Sequence, residues 1–177
     1  EDEVAFALRN LDYPPEEITR RVDESLAAMG LTAYRARHPL SLPKGDRARI
    51  VIAAILAMRP EVIIFDEPTT GQDYQGAKTI LDISRSLHQQ GKTVVVITHH
   101  LYLMPGYAER VIVMGEGAVL LDAPIRKAYH EVALLRETYL TPPQAVLLAR
   151  SLCKNNGDQA CALLTPEEVA AYLTGYV

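Results

Sequence analysis

Residues 62–73 read VIIFDEPTTGQD, a β-branched apolar run that closes on two adjacent acids and a proline. Such a run predicts a short strand in a parallel sheet that is covered by helices on both faces. Asp66 and Glu67 follow at its carboxyl end, where open α/β sheets bind ligands. Asp66 is a candidate Mg²⁺ ligand, because Mg²⁺ prefers hard oxygen atoms, and Glu67 is a candidate base that polarises an attacking water. For an Asp-Glu pair alone, the alternative is two solvated acids at a strand end.

A second buried strand is predicted at residues 93–98, which read TVVVIT and are followed by two histidines. A histidine that leaves a strand next to the acid-bearing strand can donate to a phosphate and help Glu67 to hold a water. We assign this candidate role to His99. For His100 the favoured interpretation is a solvated residue or a cap of the following helix.

Helical patterns lie between and after these strands, with apolar side chains at a spacing of three and four residues. Strands that alternate with helices indicate an α/β fold with a mainly parallel sheet. The predicted helices cover residues 15–29, 46–58, 74–90, 129–139, 143–152 and a segment from 166, and two further strands cover residues 110–114 and 118–121.

The 177 residues carry a formal charge of −4 and are 49% hydrophobic. This acidic balance offers no basic surface to nucleic acid or anionic lipid. The longest apolar run, residues 50–58, is shorter than the ~20 residues that a membrane-spanning helix needs. We therefore predict a globular chain without a membrane span and without a nucleic-acid partner.

Two cysteines, Cys153 and Cys161, lie eight positions apart near the carboxyl end. They make neither a disulfide framework nor a zinc set, and this cysteine usage fits a reducing compartment. We expect both to be ordinary small apolar residues.

Residues 62–73 resemble the Walker B motif and D-loop of ABC-type ATPases, and residues 97–99 resemble their H-loop. The order and spacing of these motifs agree over residues 26–122, and the subgroup most resembled is the ATP-binding subunits of energy-coupling-factor importers. The resemblance implies an incomplete P-loop NTPase domain with a helical C-terminal extension, the use of ATP and Mg²⁺, and a position of Asp73 near the nucleotide.

The family's Leu-Ser-Gly-Gly-Gln signature has an altered counterpart before the alanine-rich predicted helix, namely Leu42, Pro43, Lys44, Gly45 and Asp46. In the family this motif presents backbone N–H groups and a serine hydroxyl to the ATP of the partner subunit. Pro43 offers neither group, Lys44 offers a less directional charge, and Asp46 would repel a phosphate. We interpret the segment as a signature of altered function that still faces the nucleotide. The alternative is a simple helix cap.

The phosphate-binding motif Gly-x-x-x-x-Gly-Lys-Ser/Thr does not occur in the 177 residues. Residues 91–93 do not replace it, because they lie between a helix and a strand, whereas a P-loop runs from strand to helix. The chain also opens on Glu1 without a Met. We expect a later piece of a longer ABC domain, whose missing strand lies between the His99 strand and that of residues 110–114. Such a piece should bind the missing part or expose an apolar face.

We divide the chain into a helical subdomain with the altered signature (residues 1–59), a part of the ATPase core (60–122) and a helical C-terminal extension (123–177). The resemblance implies a longer protein that hydrolyses ATP to drive an importer, pairs with an identical or different ATPase subunit, and contacts a transmembrane subunit at the cytoplasmic face of the membrane. This chain alone is expected to be inactive.

The alternative function is a non-catalytic piece of an ABC ATPase that serves dimerisation or regulation through residues 141–177. Chromosome-maintenance ABC ATPases are disfavoured, because the chain lacks heptad repeats and basic patches.

Overall fold

The structure is a computed structural model that describes residues 1–153 and 158–175. The chain forms two units, Glu1–Ile97 and Thr98–Val177. The division into three parts at residues 59 and 122 stays a prediction, and residues 154–157 and 176–177 of its last part lie outside the described residues. Among the described residues, no helix has the length and apolar character needed to cross a bilayer.

The first unit places helices around a two-stranded parallel sheet. Its elements are α1 (Asp2–Asn10), α2 (Pro15–Ala28), α3 (Lys44–Ala57), β1 (Val62–Asp66), α4 (Tyr74–Gln89) and β2 (Thr93–Ile97). β1 and β2 run in parallel, with Val62 opposite Thr93 and Asp66 opposite Ile97. Parallel strands need a crossover connection, and α4 provides it. The predicted α/β class and the pairing of the acid-bearing strand with the histidine-bearing strand are both confirmed.

The helix ends follow local sequence signals. The first turn of α2 begins with Pro15, whose missing N–H would have no helical partner at this position. It also contains Glu16 and Glu17, whose negative charge interacts favourably with the helix dipole. α3 stops before Arg59, which has φ 55° and precedes a proline. A proline disfavours the helical conformation of the residue before it, so this end is set locally.

One face of the sheet is buried. Ile63 and Phe65 of β1 belong to a core shared with α1, α2 and α3, and Val94 and Val96 of β2 pack against the same core. These side chains alternate along their strands, as expected for one face of a sheet. The buried residues of this cluster are Val4, Ala5, Leu8, Val22, Leu26, Met29, Leu31, Ile52, Ala53, Ala57, Ile63, Phe65 and Leu87.

The prediction that both strands are buried on both faces is wrong. On the face opposite to the core, Val62 and Ile64 of β1 are 55% and 62% exposed, and Val95 and Ile97 of β2 are 42% and 50% exposed. We call these four partly exposed side chains the open apolar face. The apolar composition of the strands predicts that both faces are buried, but only one face is buried within the first unit. The alternative expectation, an exposed apolar face, is confirmed.

A groove of about 490 Å³ runs along β1 on this side. Val51 and Ile55 of α3 line it together with Val62 and Ile64, and it reaches Asp66 at the strand end. Val51 is 63% exposed, so α3 presents apolar surface to this groove. The groove joins the open apolar face to the predicted site.

The second unit contains an antiparallel ribbon and four α-helices within the described residues. They are β3 (Arg110–Gly115), β4 (Ala118–Pro124), α5 (Ile125–His130), α6 (Val132–Glu137), α7 (Gln144–Leu152) and α8 (Pro166–Thr174). Glu116 and Gly117 connect β3 to β4 with φ values of 51° and 77°. This two-residue turn has the positive φ values of a type I′ hairpin, so the pair is antiparallel. Among the residues that the structure describes, parallel pairing is confined to β1 and β2.

The predicted start of the last helix is confirmed. The Thr165 hydroxyl oxygen accepts a hydrogen bond from the Glu168 N–H at 3.2 Å, and Pro166 takes the first helical position. Arg126 of α5 pairs with the Glu168 carboxylate at 2.6 Å, and this contact lowers the pKa of Glu168. Local capping and one ion pair therefore anchor α8 to α5.

The prediction that the cysteines have no special role is wrong. Cys153 and Cys161 form a disulfide, with their Cα atoms 5.1 Å apart. Cys153 ends α7, and Cys161 lies in a 3-10 helix, Gln159–Ala162. The two side chains meet in the tertiary structure, which a spacing of eight residues does not reveal.

Candidate functional site

The acids of residues 62–73 lie at the carboxyl end of the parallel strand pair. Asp66 is the last residue of β1 and is exposed, and its register partner is Ile97, the last residue of β2. The next N–H, that of Glu67, donates a hydrogen bond to the Ile97 carbonyl oxygen at 2.9 Å. Backbone hydrogen bonds therefore hold both carboxylates at the sheet edge where the sequence places them.

Glu67 adopts an unusual backbone conformation. Its φ is 45°, in the left-handed region that non-glycine residues rarely occupy, and it precedes Pro68. The Thr70 N–H donates to the Glu67 carbonyl oxygen at 3.1 Å, and the Thr70 hydroxyl donates to its carboxylate at 3.2 Å. The turn thus holds a half-buried carboxylate in one orientation, at a backbone cost of ~1–2 kcal/mol.

Sequence reasoning did not assign a role to Thr70. A hydroxyl side chain three positions after Glu67, in a turn opened by a proline, is the signal that could have indicated it. Its hydroxyl donates a hydrogen bond that helps to orient the Glu67 carboxylate.

The altered signature segment lies at the start of α3. Pro43 is the N-cap residue and provides no side-chain cap, whereas Leu42 is buried before it. Asp46 in the first turn pairs with Arg49 at 3.3 Å, which offsets part of its negative charge. A Cβ atom added at Gly45 would meet no neighbour, so no close approach requires this glycine within the described structure.

Lys44 contacts the loop after β1. Its ammonium group donates a hydrogen bond to the Gly71 carbonyl oxygen. Gly71 has φ 68°, a left-handed conformation that favours glycine, and a Cβ atom there would lie 2.6 Å from the Lys44 nitrogen. The contact brings the predicted signature and the predicted D-loop together within this chain, which no sequence pattern indicated.

Asp73 caps α4. Its carboxylate accepts a hydrogen bond from the Gly76 N–H at 2.7 Å, and this satisfies one of the open donors of the first turn. Capping of α4 is therefore a structural role for the aspartate at this position. A contact of Asp73 with a nucleotide remains a proposal.

The two histidines lie at the start of the second unit, directly after Thr98. His99 is exposed and His100 is half-buried, and their ring centroids lie 4.2 Å apart at an interplanar angle of 48°. The His100 N–H donates to the Thr98 hydroxyl oxygen at 3.0 Å. His99 therefore offers an accessible imidazole two residues after the end of β2.

The donor set suits a hard divalent cation and a water, but it is not a phosphate cradle. Asp66 is exposed, and its carboxylate oxygens are of the kind that bind Mg²⁺. Few protein ligands are needed, because bound Mg²⁺ retains several of its waters. The oriented Glu67 carboxylate is a hydrogen-bond acceptor for a water. A nucleotide bound here would need N–H donors for its phosphates beyond those of residues 62–73.

Comparison with known proteins extends over nearly the whole chain. A family model described as ABC transporter matches residues 2–70. A putative ABC transporter ATP-binding protein of Methanosarcina mazei is 42% identical over 175 residues, 99% of this chain and 30% of that protein. The energy-coupling factor transporter ATP-binding protein EcfA1 of Caldanaerobacter subterraneus subsp. tengcongensis is 38% identical over 174 residues, 98% of this chain and 62% of that protein.

A solved structure shows the same fold. It is cbiO1 from Clostridium perfringens, described as part of the ABC transporter complex cbiONQ, and it matches with a TM-score of 0.66 and 32% identity. The match covers 83% of this chain and 59% of that chain. The chain thus spans less than two thirds of the length of each of these three proteins.

Proposed function

We propose that the chain is part of an ABC transporter ATP-binding protein and that it supplies the water-activating part of an ATP site in an importer of the energy-coupling factor type. The observation that carries the proposal is the acid pair at the end of β1, where Thr70 orients the Glu67 carboxylate. Similarity to an energy-coupling factor subunit over 98% of the chain supports the choice of importer.

Each residue of the pair has a distinct task in the proposed reaction. The Asp66 carboxylate would hold Mg²⁺, which neutralises charge on the phosphates when bound. Glu67 accepts a hydrogen bond from the attacking water and polarises it towards the terminal phosphate of ATP. His99 donates a hydrogen bond to that phosphate, and Asp73 lies beside the nucleotide.

Residues 42–46 would serve a second nucleotide, held by the partner ATPase subunit. Leu42, Pro43, Lys44, Gly45 and Asp46 are the residues that we assign to it. Lacking the serine hydroxyl of the family's motif, this second site should be the weaker one, whereas the site that uses Glu67 is competent. The proposal thus predicts two unequal ATP sites in the assembled dimer.

The proposed assembly has two kinds of partner and one location. A second ATPase subunit, identical or different, completes the sites, and a transmembrane subunit receives the motion. The chain would work in the cytoplasm, at the inner face of the membrane. The motif Gly-x-x-x-x-Gly-Lys-Ser/Thr does not occur in the 177 residues, so the proposal assigns no phosphate-binding loop among them.

The second candidate function is a non-catalytic dimerisation or regulatory piece, for which the open apolar face is the specific support. Calorimetry of ATP binding by the 177-residue chain distinguishes a non-catalytic piece from an ATPase that works alone. We expect no tight binding, because Asp66 and Glu67 cannot replace a phosphate loop.

The catalytic assignment is tested by Glu67→Gln in the assembled transporter. We expect a loss of ATP hydrolysis of roughly 10²- to 10³-fold with nucleotide binding retained, because glutamine keeps the size but not the basicity of the side chain. Glu116→Gln, in the exposed turn after β3, is the matched control and should hydrolyse ATP normally. Unchanged hydrolysis in Glu67→Gln would refute the role of Glu67.

A further inference from the structure

The disulfide of the second unit joins two segments whose backbones are held independently of it. The Cys153 N–H donates to the Ala149 carbonyl oxygen at 2.9 Å in the last turn of α7, and the Cys161 N–H donates to the Asp158 carbonyl oxygen at 2.9 Å. The Cα separation of 5.1 Å falls within the usual range of about 4.4–6.8 Å. Each cysteine backbone is thus held within its own segment, at a Cα separation that suits the bond.

The bond closes a small satellite core. Ala149, Ala160, Leu163 and Val169 form this cluster, and Cys153 packs at its edge. Two of the four buried side chains are alanines, which bury little apolar area. In so small a core a covalent link supplies a large share of the cohesion between α7 and the 3-10 helix Gln159–Ala162.

The segment after the disulfide has separate anchors on α5. Arg126 donates to the Ala162 carbonyl oxygen at 2.8 Å, and the His130 ring nitrogen lies 3.1 Å from the Leu163 carbonyl oxygen. The Arg126–Glu168 pair adds a third attachment. Breaking the disulfide should consequently release the end of α7 from the 3-10 helix while α8 stays attached to α5.

Both cysteines are reachable from solvent. Each is half-exposed, so an external thiolate can approach the bond. In the cytoplasm, the location proposed above, glutathione keeps most accessible cysteines reduced, and disulfides there are chiefly transient or redox-sensing. Accessibility and paired geometry together point to an exchanging bond.

We propose that Cys153 and Cys161 form a reversible thiol–disulfide site that exchanges with low-molecular-weight thiols and disulfides such as glutathione, and that the oxidised form locks α7 to the 3-10 helix. This inference goes beyond the ATP site and uses none of its residues. It adds a modification site to the carboxyl-terminal part of the chain.

The exchange is balanced by the glutathione pair. In the oxidising direction, one protein thiolate attacks a sulfur of glutathione disulfide, and the glutathione S–S bond breaks to release one glutathione thiolate. The second protein thiolate then attacks the protein sulfur of the mixed disulfide, forms the Cys153–Cys161 bond and releases the second glutathione thiolate. The two protons lost by the protein thiols go to the two glutathione thiolates. The protein is oxidised and glutathione disulfide is reduced.

The test equilibrates the purified 177-residue chain in glutathione buffers of graded redox poise, alkylates free thiols and weighs the intact protein. We expect two alkyl adducts in reducing buffer and none in oxidising buffer, with a reversible transition between them. Hydrogen exchange in the last turn of α7 should be at least about tenfold faster in the reduced state, whereas α5 exchanges equally in both.

The Cys153→Ser and Cys161→Ser double variant is the control, and its exchange should not respond to glutathione. Should that variant fail to fold, the comparison of the two redox states of the unmodified chain still decides the matter. Two adducts at every poise, a bond that glutathione cannot reduce, disulfide-linked dimers, or equal exchange of α7 in both states would each overturn the proposal. None of these readouts depends on ATP, so they leave the proposed function untouched.

Discussion

Lys44 and Gly71, which are 27 positions apart, are joined by a hydrogen bond from the lysine ammonium to the glycine carbonyl oxygen. The bond links the first turn of α3 to the loop between β1 and α4. Lys44 stands where the Leu-Ser-Gly-Gly-Gln signature has its first glycine, and the side chain that we propose to face a partner's nucleotide contacts its own chain. A phosphate that recruited Lys44 would have to compete with this carbonyl.

Replacing Lys44 by methionine should loosen the loop with little effect on global stability. An exposed lysine hydrogen bond contributes at most about 1 kcal/mol, but it is the contact that ties this loop to α3. We expect faster amide hydrogen exchange over residues 69–73. Lys78→Met, an exposed lysine on α4, is the control and should exchange like the unmodified chain. Identical exchange in both variants would show that the contact does not restrain the loop.

Gly71→Ala should destabilise the first unit by ~1–2 kcal/mol. The left-handed φ of 68° disfavours any side chain, and the new Cβ atom would displace Lys44. Urea unfolding measures the difference, and Gly45→Ala provides the matched control, since its added Cβ atom meets no neighbour. Equal midpoints for the two variants would contradict this account.

Asp73→Ala should cost ~1 kcal/mol, because it removes the side-chain acceptor that caps α4. Asp73→Asn retains an acceptor and should lose much less. The urea midpoints of the two variants give the comparison. A large loss of ATP hydrolysis in Asp73→Asn, without loss of stability, would instead indicate contact with the nucleotide.

Neighbouring isoleucines of β1 should respond differently to truncation. Ile63 is 5% exposed and Ile64 is 62% exposed, although both continue the same apolar run. Ile63→Ala should cost ~2–4 kcal/mol through the cavity that it leaves, and Ile64→Ala less than about 1 kcal/mol. Chemical denaturation measures both. Similar costs would mean that the open apolar face is buried in solution.

The acid stability of α2 should depend on Glu17. Hydrogen bonds from Arg20 and then Arg21 lower the pKa of Glu17 from 4.5 to about 2. A folded-state pKa below the unfolded value gives stability that is present above pH 4.5 and is lost as the pH falls towards 2. An NMR titration of the Glu17 carboxyl should show the low pKa, and Arg20→Gln should raise it. Titration of Glu17 at its ordinary value in the unmodified chain would rule out the contact.

Residues 62–73 and 93–98 were sufficient to predict two adjacent parallel strands and the acids at their end. A short β-branched run favours a strand over other structures. A helix between two such runs provides the crossover connection that parallel strands need. α1 had no comparable signal, since its nine residues carry no side-chain cap and it is held by packing of Val4 and Leu8 against the core.

Sequence alone determined the α/β class, the helix starts at Pro15 and Pro166, and the resemblance to ABC-type ATPases, because these depend on local periodicity, capping and motif order. Tertiary structure alone decided which face of the strands is covered, how Lys44 is used, and that Cys153 meets Cys161. Each of these depends on contacts between residues that do not follow one another in the sequence. Such contacts follow from how the elements pack and leave no period or spacing in the sequence.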